Sequence, residues 1–334
     1  MTPPSPLCPN PMKVHSIQQE TTDVWTLNLI TPDVYFYQPG QFALVSIRNS
    51  EETLRAYTLS SSPGLSRFIS LSVRRLPEGT GSRWLTQEVK PGDVLWLSDA
   101  QGDFSCIQHP SDRYLMLAAG CGVTPIMSMC RWLVANKPQC DIRVIYNVRT
   151  LADVIFADEW QELCTAHPQL QLTLIAKQTA HSGLLNGRLS ATLLQQVAPD
   201  ITERIVMACG SELYMRQVEQ LCEQLDVPAA HFHKEQFHTS ADQLSEQDEP
   251  LTLRIGQPLR EFRVPVGSTL LAALEAHKLP VNAACRAGVC GSCKTRIVDG
   301  NYTTTSTMTL SPAEIAQGYV LACSCQLQGD VTLG

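Results

Sequence analysis

Four cysteines towards the C-terminal end constrain this 334-residue chain more than any other feature. Cys285, Cys290 and Cys293 fall within nine residues, separated by four and then two, and Cys323 follows after twenty-nine more. Three thiols so close converge on one tight loop, and a distant segment returns the fourth. The region therefore has to fold around a thiolate-ligated metal centre. Ala287, Gly288, Gly291 and Ser292 suit such a loop, because small residues let backbone N–H groups approach the sulfurs.

The intervals fit the C-x4-C-x2-C…C spacing of a [2Fe–2S] centre, with Cys285, Cys290, Cys293 and Cys323 as ligands. The competing reading is a structural zinc site built from Cys290/Cys293 and Cys323/Cys325, which leaves Cys285 idle and needs an unusually tight second pair. Cys325 stands two residues past Cys323 on what is expected to be one strand. Both thiols would then share a face, and either could be the fourth ligand, with Cys323 preferred. The nine cysteines outside the set of four share no ligand-like spacing and read as small buried hydrophobes.

The length predicts two or three domains. Hydrophobic residues at 44% and charged residues at 17% are an ordinary globular balance. A net charge of −7 argues against a nucleic-acid partner, which would need a clustered basic face. No apolar run reaches the length of a membrane span, and the first twelve residues lack the pattern of a signal peptide, so a cytoplasmic location with reduced thiols is expected.

From Lys13 to Phe104, short alternating runs such as Val24–Ile30, Gln41–Ile47, Phe68–Arg74 and Val94–Leu97 predict an antiparallel barrel or sandwich. From Tyr114 the rhythm becomes buried strand, glycine turn, helix, with strands at Tyr114–Ala119, Ile142–Val148, Leu170–Ala176 and Ile205–Cys209 around a helix at Ile126–Ala135, which predicts a parallel sheet flanked by helices. Polar, acidic residues 239–250 read as a linker. Leu251–Ile255 and Arg260–Pro265 then predict a hairpin and Thr269–His277 a helix. The expected divisions are 1–108, 109–238 and 251–334.

Gly120-Cys121-Gly122-Val123-Thr124-Pro125 follows a buried strand and opens a helix, a place where N–H groups can face a pyrophosphate. Pro125 replaces the third glycine of the usual fingerprint. Cys209-Gly210 ends another strand of the same sheet at the same edge. In the barrel, Arg55-Ala56-Tyr57-Thr58 offers a cation, a flat ring and a hydroxyl in succession. Gly79-Thr80-Gly81-Ser82 precedes a helix expected at Arg83–Val89 and either binds phosphate or supplies a plain N-cap at Ser82.

In content and order these four runs resemble the ferredoxin-NADP reductase superfamily over residues 13 to 238, with a ferredoxin domain fused behind. The resemblance implies a multidomain fold: an antiparallel β-barrel, an α/β parallel-sheet nucleotide-binding domain, and an α+β β-grasp ferredoxin domain. It implies FAD in the barrel, with Arg55 on the pyrophosphate, Tyr57 stacked on the isoalloxazine, Thr58 near its N5, Ala56 and Arg74 as further contacts, and the Gly81/Ser82 turn on the phosphates. It implies NADH at Gly120, Gly122, Thr124 and Pro125, with Cys209 and Gly210 beside the nicotinamide. Tyr57, Thr58 and Cys209 are the implied catalytic set. Many relatives end on an aromatic residue that covers the flavin, whereas this chain runs on past Phe237. The runs A-A-C-R-A-G-V-C-G-S-C-K and G-C-G-V-T-P-I-M-S-M narrow the implied electron acceptor to the hybrid-cluster protein, and with it nitric oxide or hydroxylamine reduction.

NADH gives up two electrons together while a [2Fe–2S] centre takes one at a time, so a flavin between them is chemically required. Arg149 is the sole basic residue in the stretch after Ile142–Val148 where a 2′-phosphate could be read, which favours NADH over NADPH. Residues 251–334 hold seven Lys/Arg against five Asp/Glu, so an acidic docking face is not forced. The alternatives are the reductase component of an oxygenase system and, in another class, a non-catalytic iron–sulfur redox sensor. Direct oxygen reduction by the flavin would be leakage.

Overall fold

The computed structural model describes residues 2–177, 185–237, 250–256 and 260–334. The acidic stretch expected as a linker lies almost wholly outside the described residues. Two compact units emerge, one comprising Met1–Pro3, Cys8–Val45 and Tyr57–Thr239, the other Pro4–Leu7, Ser46–Ala56 and Ser240–Gly334.

The N-terminal alternating runs form β1 (Asn10–Gln19), β2 (Val24–Ile30), β3 (Phe42–Ser46), β4 (Leu54–Thr58), β5 (Ile69–Arg74) and β6 (Val94–Leu97), with helix α1 (Thr80–Gln87) between the last two. They make one sheet in the order β4-β3-β6-β1-β2-β5. A bridge between Leu59 and Leu71 links the continuation of β4 to β5 and closes the sheet into a barrel, which removes exposed edges. Helix α1 begins at Thr80, three residues before the start expected from the sequence, so Gly79 is the N-cap and Ser82 lies inside the first turn. Gly81 is buried in the first turn, and Ser82 Oγ closes the turn by accepting from Leu76 N–H at 3.1 Å.

The parallel sheet is built from β7 (Arg113–Ala119), α2 (Val123–Asn136), β8 (Asp141–Val148), α3 (Ala157–Ala166), β9 (Leu170–Ala176), β10 (Leu185–Asn186), α4 (Ala191–Val197), β11 (Ile205–Ser211), α5 (Glu212–Gln224) and β12 (Phe232–Phe237). Its order is β10-β9-β8-β7-β11-β12. Alternation along each strand feeds two cores. Tyr114, Met116 and Ala118 join Ile126, Met127 and Leu133 of α2 on one face. Leu115 and Leu117 join Leu194, Tyr214 and Val218 on the other. At the far end of the sheet, Arg204 is 2% exposed yet fully engaged, pairing with Asp141 at 2.6 Å and Asp200 at 2.7 Å. Such a charge is tolerated in the interior because it is paired. The chain winds outward from β7 through β8 and β9, then returns to place β11 on the other side of β7. The reversal opens a crevice at the C-terminal ends of β7 and β11, where ligands bind in α/β sheets.

The second unit carries β13 (Leu251–Ile255), β14 (Arg260–Val264), α6 (Leu270–Ala276), β15 (Lys294–Thr304), α7 (Pro312–Ala316), β16 (Tyr319–Leu321) and β17 (Cys325–Leu333). The sheet order is β14-β13-β17-β15-β16, with β13 and β17 parallel and the other pairings antiparallel. Leu270, Leu271 and Leu274 of α6 pack into the sheet's core, the β-grasp arrangement. Among the described residues no helix is long and apolar enough to cross a membrane.

Candidate cofactor sites and the cysteine cluster

The cysteine loop runs between α6 and β15 and bends through left-handed conformations at Arg286, Gly288 and Gly291. Gly288 has no room for a side chain, since a Cβ there would meet Ser306 Cβ at 2.8 Å and Ser324 Cβ at 3.0 Å. The bends gather the sulfurs. Cys293 Sγ lies 3.3 Å from Cys323 Sγ. Gly288 N–H donates to Cys323 Sγ at 3.1 Å and Ala287 N–H to Cys285 Sγ at 3.4 Å. Cys285, Cys293 and Cys323 are buried and Cys290 is half-buried. Shared hydrogen bonds couple the four thiols: those from Cys290 and Cys323 lower Cys285, that from Cys323 lowers Cys293, and the donors Cys290 and Cys323 are raised in turn. A loop that draws four thiols together and aims backbone N–H groups at their sulfurs fits a [2Fe–2S] centre, whose ligands are held as thiolates by the metal itself.

The structure differs from the sequence expectation at Cys325. A single 3-10 turn, Ala322–Ser324, separates β16 from β17, so Cys323 and Cys325 do not sit on one strand and do not share a face. Cys323 turns into the loop. Cys325 is fully buried in the unit's hydrophobic core, and burial alone raises its thiol to about 12.

On the barrel, Arg55, Ala56, Tyr57 and Thr58 follow one another along β4. Arg55 Nη1 donates to the carbonyls of Leu54 and Ala284 at 2.7 and 2.9 Å. Tyr57 is half-buried. The Thr58 hydroxyl is buried with no hydrogen-bond partner among the described residues. An orphaned buried hydroxyl costs free energy, and a polar group of a bound ligand would offset that cost. Gly79 caps α1 without a side-chain hydrogen bond to the first-turn N–H groups of Thr80, Gly81 and Ser82, and a helix N-terminus of this kind is suited to phosphate.

At the crevice, Gly120–Gly122 forms a 3-10 turn leading into α2, with Gly120 at φ +53. Thr124 Oγ1 donates to Cys121 O at 2.9 Å and fixes the turn, and Pro125 lies in the first turn of α2, where its missing N–H is no loss. Gly210 abuts Ala119 and Tyr214, leaving no space for a side chain. Cys209 is fully buried beside Gly122. The Arg74 guanidinium lies over Gly120, and its Nε is 3.3 Å from Asp23. The same Asp23 carboxylate takes Arg149 Nη2 at 2.9 Å, and Asp153 accepts from that Nη2 as well, also at 2.9 Å. Two carboxylates thus neutralise the one basic residue available in that stretch for a 2′-phosphate.

Sequence reasoning missed Asp23, Glu235 and Gln236. Glu235 stands opposite Cys209 in the β11–β12 register, with Oε2 3.9 Å from Cys209 Sγ, and burial raises its carboxyl to about 8. Gln236 Nε2 is buried without a partner among the described residues. Phe237 ends β12 and packs against the core that includes Cys209. One signal was available: an acid in a strand that closes on an aromatic residue. It has no periodicity to distinguish it from a solvent-facing charge.

Three family profiles cover the chain in order: an oxidoreductase FAD-binding domain over 11–106, an oxidoreductase NAD-binding domain over 116–220, and a 2Fe-2S iron-sulfur cluster binding domain over 254–328. The chain is 56% identical to the NADH oxidoreductase HCR of Escherichia coli over all of both chains. It is 31% identical to the glycine betaine monooxygenase reductase subunit of Chromohalobacter salexigens, covering 94% of this chain and 92% of that one. Its fold matches phthalate dioxygenase reductase with a TM-score of 0.64 at 21% identity, over 97% of each chain. The protein uses NADH, FAD and one [2Fe–2S] cluster. The chain belongs to the ferredoxin reductase superfamily, in the group of flavin-dependent NADH oxidoreductases that carry a C-terminal [2Fe–2S] domain.

Proposed function

We propose that this NADH oxidoreductase delivers single electrons from its cluster to the hybrid-cluster protein in the cytoplasm, and so supports nitric oxide or hydroxylamine reduction. The observation that carries the reading is the coexistence, in one chain, of a glycine-lined nucleotide crevice, an orphaned hydroxyl on the barrel and a convergent four-thiol loop. FAD supplies the conversion between a hydride's paired electrons and the single electrons of the cluster. The chain's own residues hold and orient. Gly120, Gly122 and Gly210 keep the crevice open, and Thr124 and Pro125 fix the turn that faces the dinucleotide. Cys209 and Glu235 line the crevice floor. Arg55, Ala56, Tyr57, Thr58, Arg74 and the Gly81/Ser82 turn hold the flavin, with Thr58 Oγ1 satisfied by it. Cys285, Cys290, Cys293 and Cys323 ligate the irons. We read residues 1–108, 109–238 and 251–334 as the three modules.

Full-length identity of 56% to an NADH oxidoreductase and the two quoted sequence runs support the acceptor over an oxygenase. The absence of a disulfide among the described residues suits a reducing compartment. The test is anaerobic titration with NADH, following flavin and iron–sulfur bands, and then addition of purified hybrid-cluster protein. Bleaching of both bands with rapid reoxidation by that protein supports the reading. Bleaching with no reoxidation by it, but with turnover on an oxygenase, replaces the acceptor. A cluster that NADH cannot bleach defeats the electron path.

A further inference from the structure

We propose that Ser128 and Arg131 are positioning residues for hydride transfer, locking α2 to the barrel so that the nicotinamide turn and the flavin strand keep a fixed separation. This rests on the reading of Gly120–Pro125 and Tyr57–Thr58 as opposite walls of the reaction site. Ser128 lies three residues past Pro125 and is fully buried. Its hydroxyl donates to Ser61 O at 2.5 Å and accepts from Gly40 N–H at 3.3 Å. Its own carbonyl accepts from Ser62 Oγ at 2.6 Å. Arg131, one helical turn on, donates from Nη1 to Ser60 O and grips Glu159 of α3 through Nε and Nη2 at 2.5 and 2.6 Å. The guanidinium lies over the ring of Phe156, which sits at φ +61, an uncommon conformation for an aromatic residue that needs support from its surroundings.

The barrel partners of this seam follow Thr58 directly. Ser60, Ser61 and Ser62 are all buried, and the Tyr37 hydroxyl is 2.7 Å from Ser61 Oγ. Each wall of the reaction site is thus two to four residues from a buried hydrogen bond to the other wall's element. Apolar packing would have joined helix and barrel equally well but tolerates sliding and repacking. A buried polar seam is satisfied in one arrangement only, and any shift leaves orphaned donors. Hydride transfer needs the reacting atoms about 3–3.5 Å apart, and a misplacement of about 1 Å costs on the order of 100-fold in rate.

The test uses Ser128→Ala in the full flavin- and cluster-loaded protein, mixed rapidly with NADH without oxygen, with NAD+ affinity and amide hydrogen exchange measured on the same preparation. The expected result is flavin reduction slowed about tenfold or more, NAD+ affinity within about threefold of the parent, and faster exchange confined to Gly40 and Ser60–Ser62. Arg131→Lys, which keeps the charge and loses the fork, should show the same split if Ser128→Ala fails to fold. Parent-like flavin reduction, unchanged exchange along the seam, or a rate loss matched by an equal affinity loss overturns the proposal. A parent protein whose flavin NADH does not reduce would instead overturn the underlying reading.

Discussion

Gly122 is pressed against the backbone of Cys209: a Cβ at position 122 would stand 2.1 Å from the Cys209 carbonyl oxygen and 2.8 Å from Gly210 N. Its φ of −60 is open to any residue, so contact rather than backbone freedom demands glycine. Gly122→Ala must part the turn from β11. It is expected to cost about 3 kcal/mol of stability in urea unfolding and to slow NADH-driven flavin reduction about 100-fold or more, while dithionite still bleaches the cluster. Parent-like NADH reduction in that variant would show that the crevice does not hold the dinucleotide.

Thr58 carries a hydroxyl that no group among the described residues satisfies. Thr58→Val keeps the shape and removes the polar atom, so the flavin-free protein should gain about 1 kcal/mol of stability. The loaded protein should lose flavin affinity and show a slower reduction by NADH, about tenfold. Opposite signs in the two forms are the diagnostic. A loss of stability in the flavin-free form would mean that Thr58 serves the barrel rather than the cofactor.

The two neighbouring cysteines near the C-terminal end should behave differently. Cys323→Ser should leave the protein with little or no iron and sulfide, because the loop's sulfurs converge on Cys323. Cys325→Ala should retain both and lose only about 1 kcal/mol of core packing. Iron and acid-labile sulfide assays on the two variants decide it, and a cluster lost from Cys325→Ala alone would exchange the assignments.

Glu235 gives the fold a pH dependence whose sign is fixed. Burial raises its carboxyl from 4.5 to about 8, so between those values the folded protein holds a proton that the unfolded chain has released. The stability this proton contributes is present in full below the lower value and is lost as pH rises through about 8. Glu235→Gln removes the titration. Its urea midpoint should gain on the parent's steadily from pH 5 to pH 8, and midpoints that differ by a constant amount would place the Glu235 carboxyl in water.

The amino-acid sequence alone determined the elements that chemistry or periodicity makes local. The C-x4-C-x2-C spacing identified the cluster, because three thiols within nine residues have few other uses. Alternating runs located most strands to within a residue or two, and the glycine turns at 120 and 209 located the crevice, because tight turns at strand ends need residues without a Cβ. Tertiary structure decided what depends on distant segments meeting. Whether Cys323 or Cys325 faces the loop turned on one 3-10 turn that the strand pattern concealed. Helix α1 began earlier than expected because packing on the barrel overrides the weak helix propensity of Gly81. Glu235 acquired its raised pKa from burial in the assembled sheet, against the lowering effect of its contact with Cys209, and Arg149 lost its spare charge to Asp23, 126 residues away. The seam joining Ser128 and Arg131 to Ser60–Ser62 was equally hidden. Serine and arginine carry no periodic signal, and only the packing of α2 against the barrel turns them from solvent-seeking side chains into hydrogen-bonded ones, the serines buried and Arg131 half-buried.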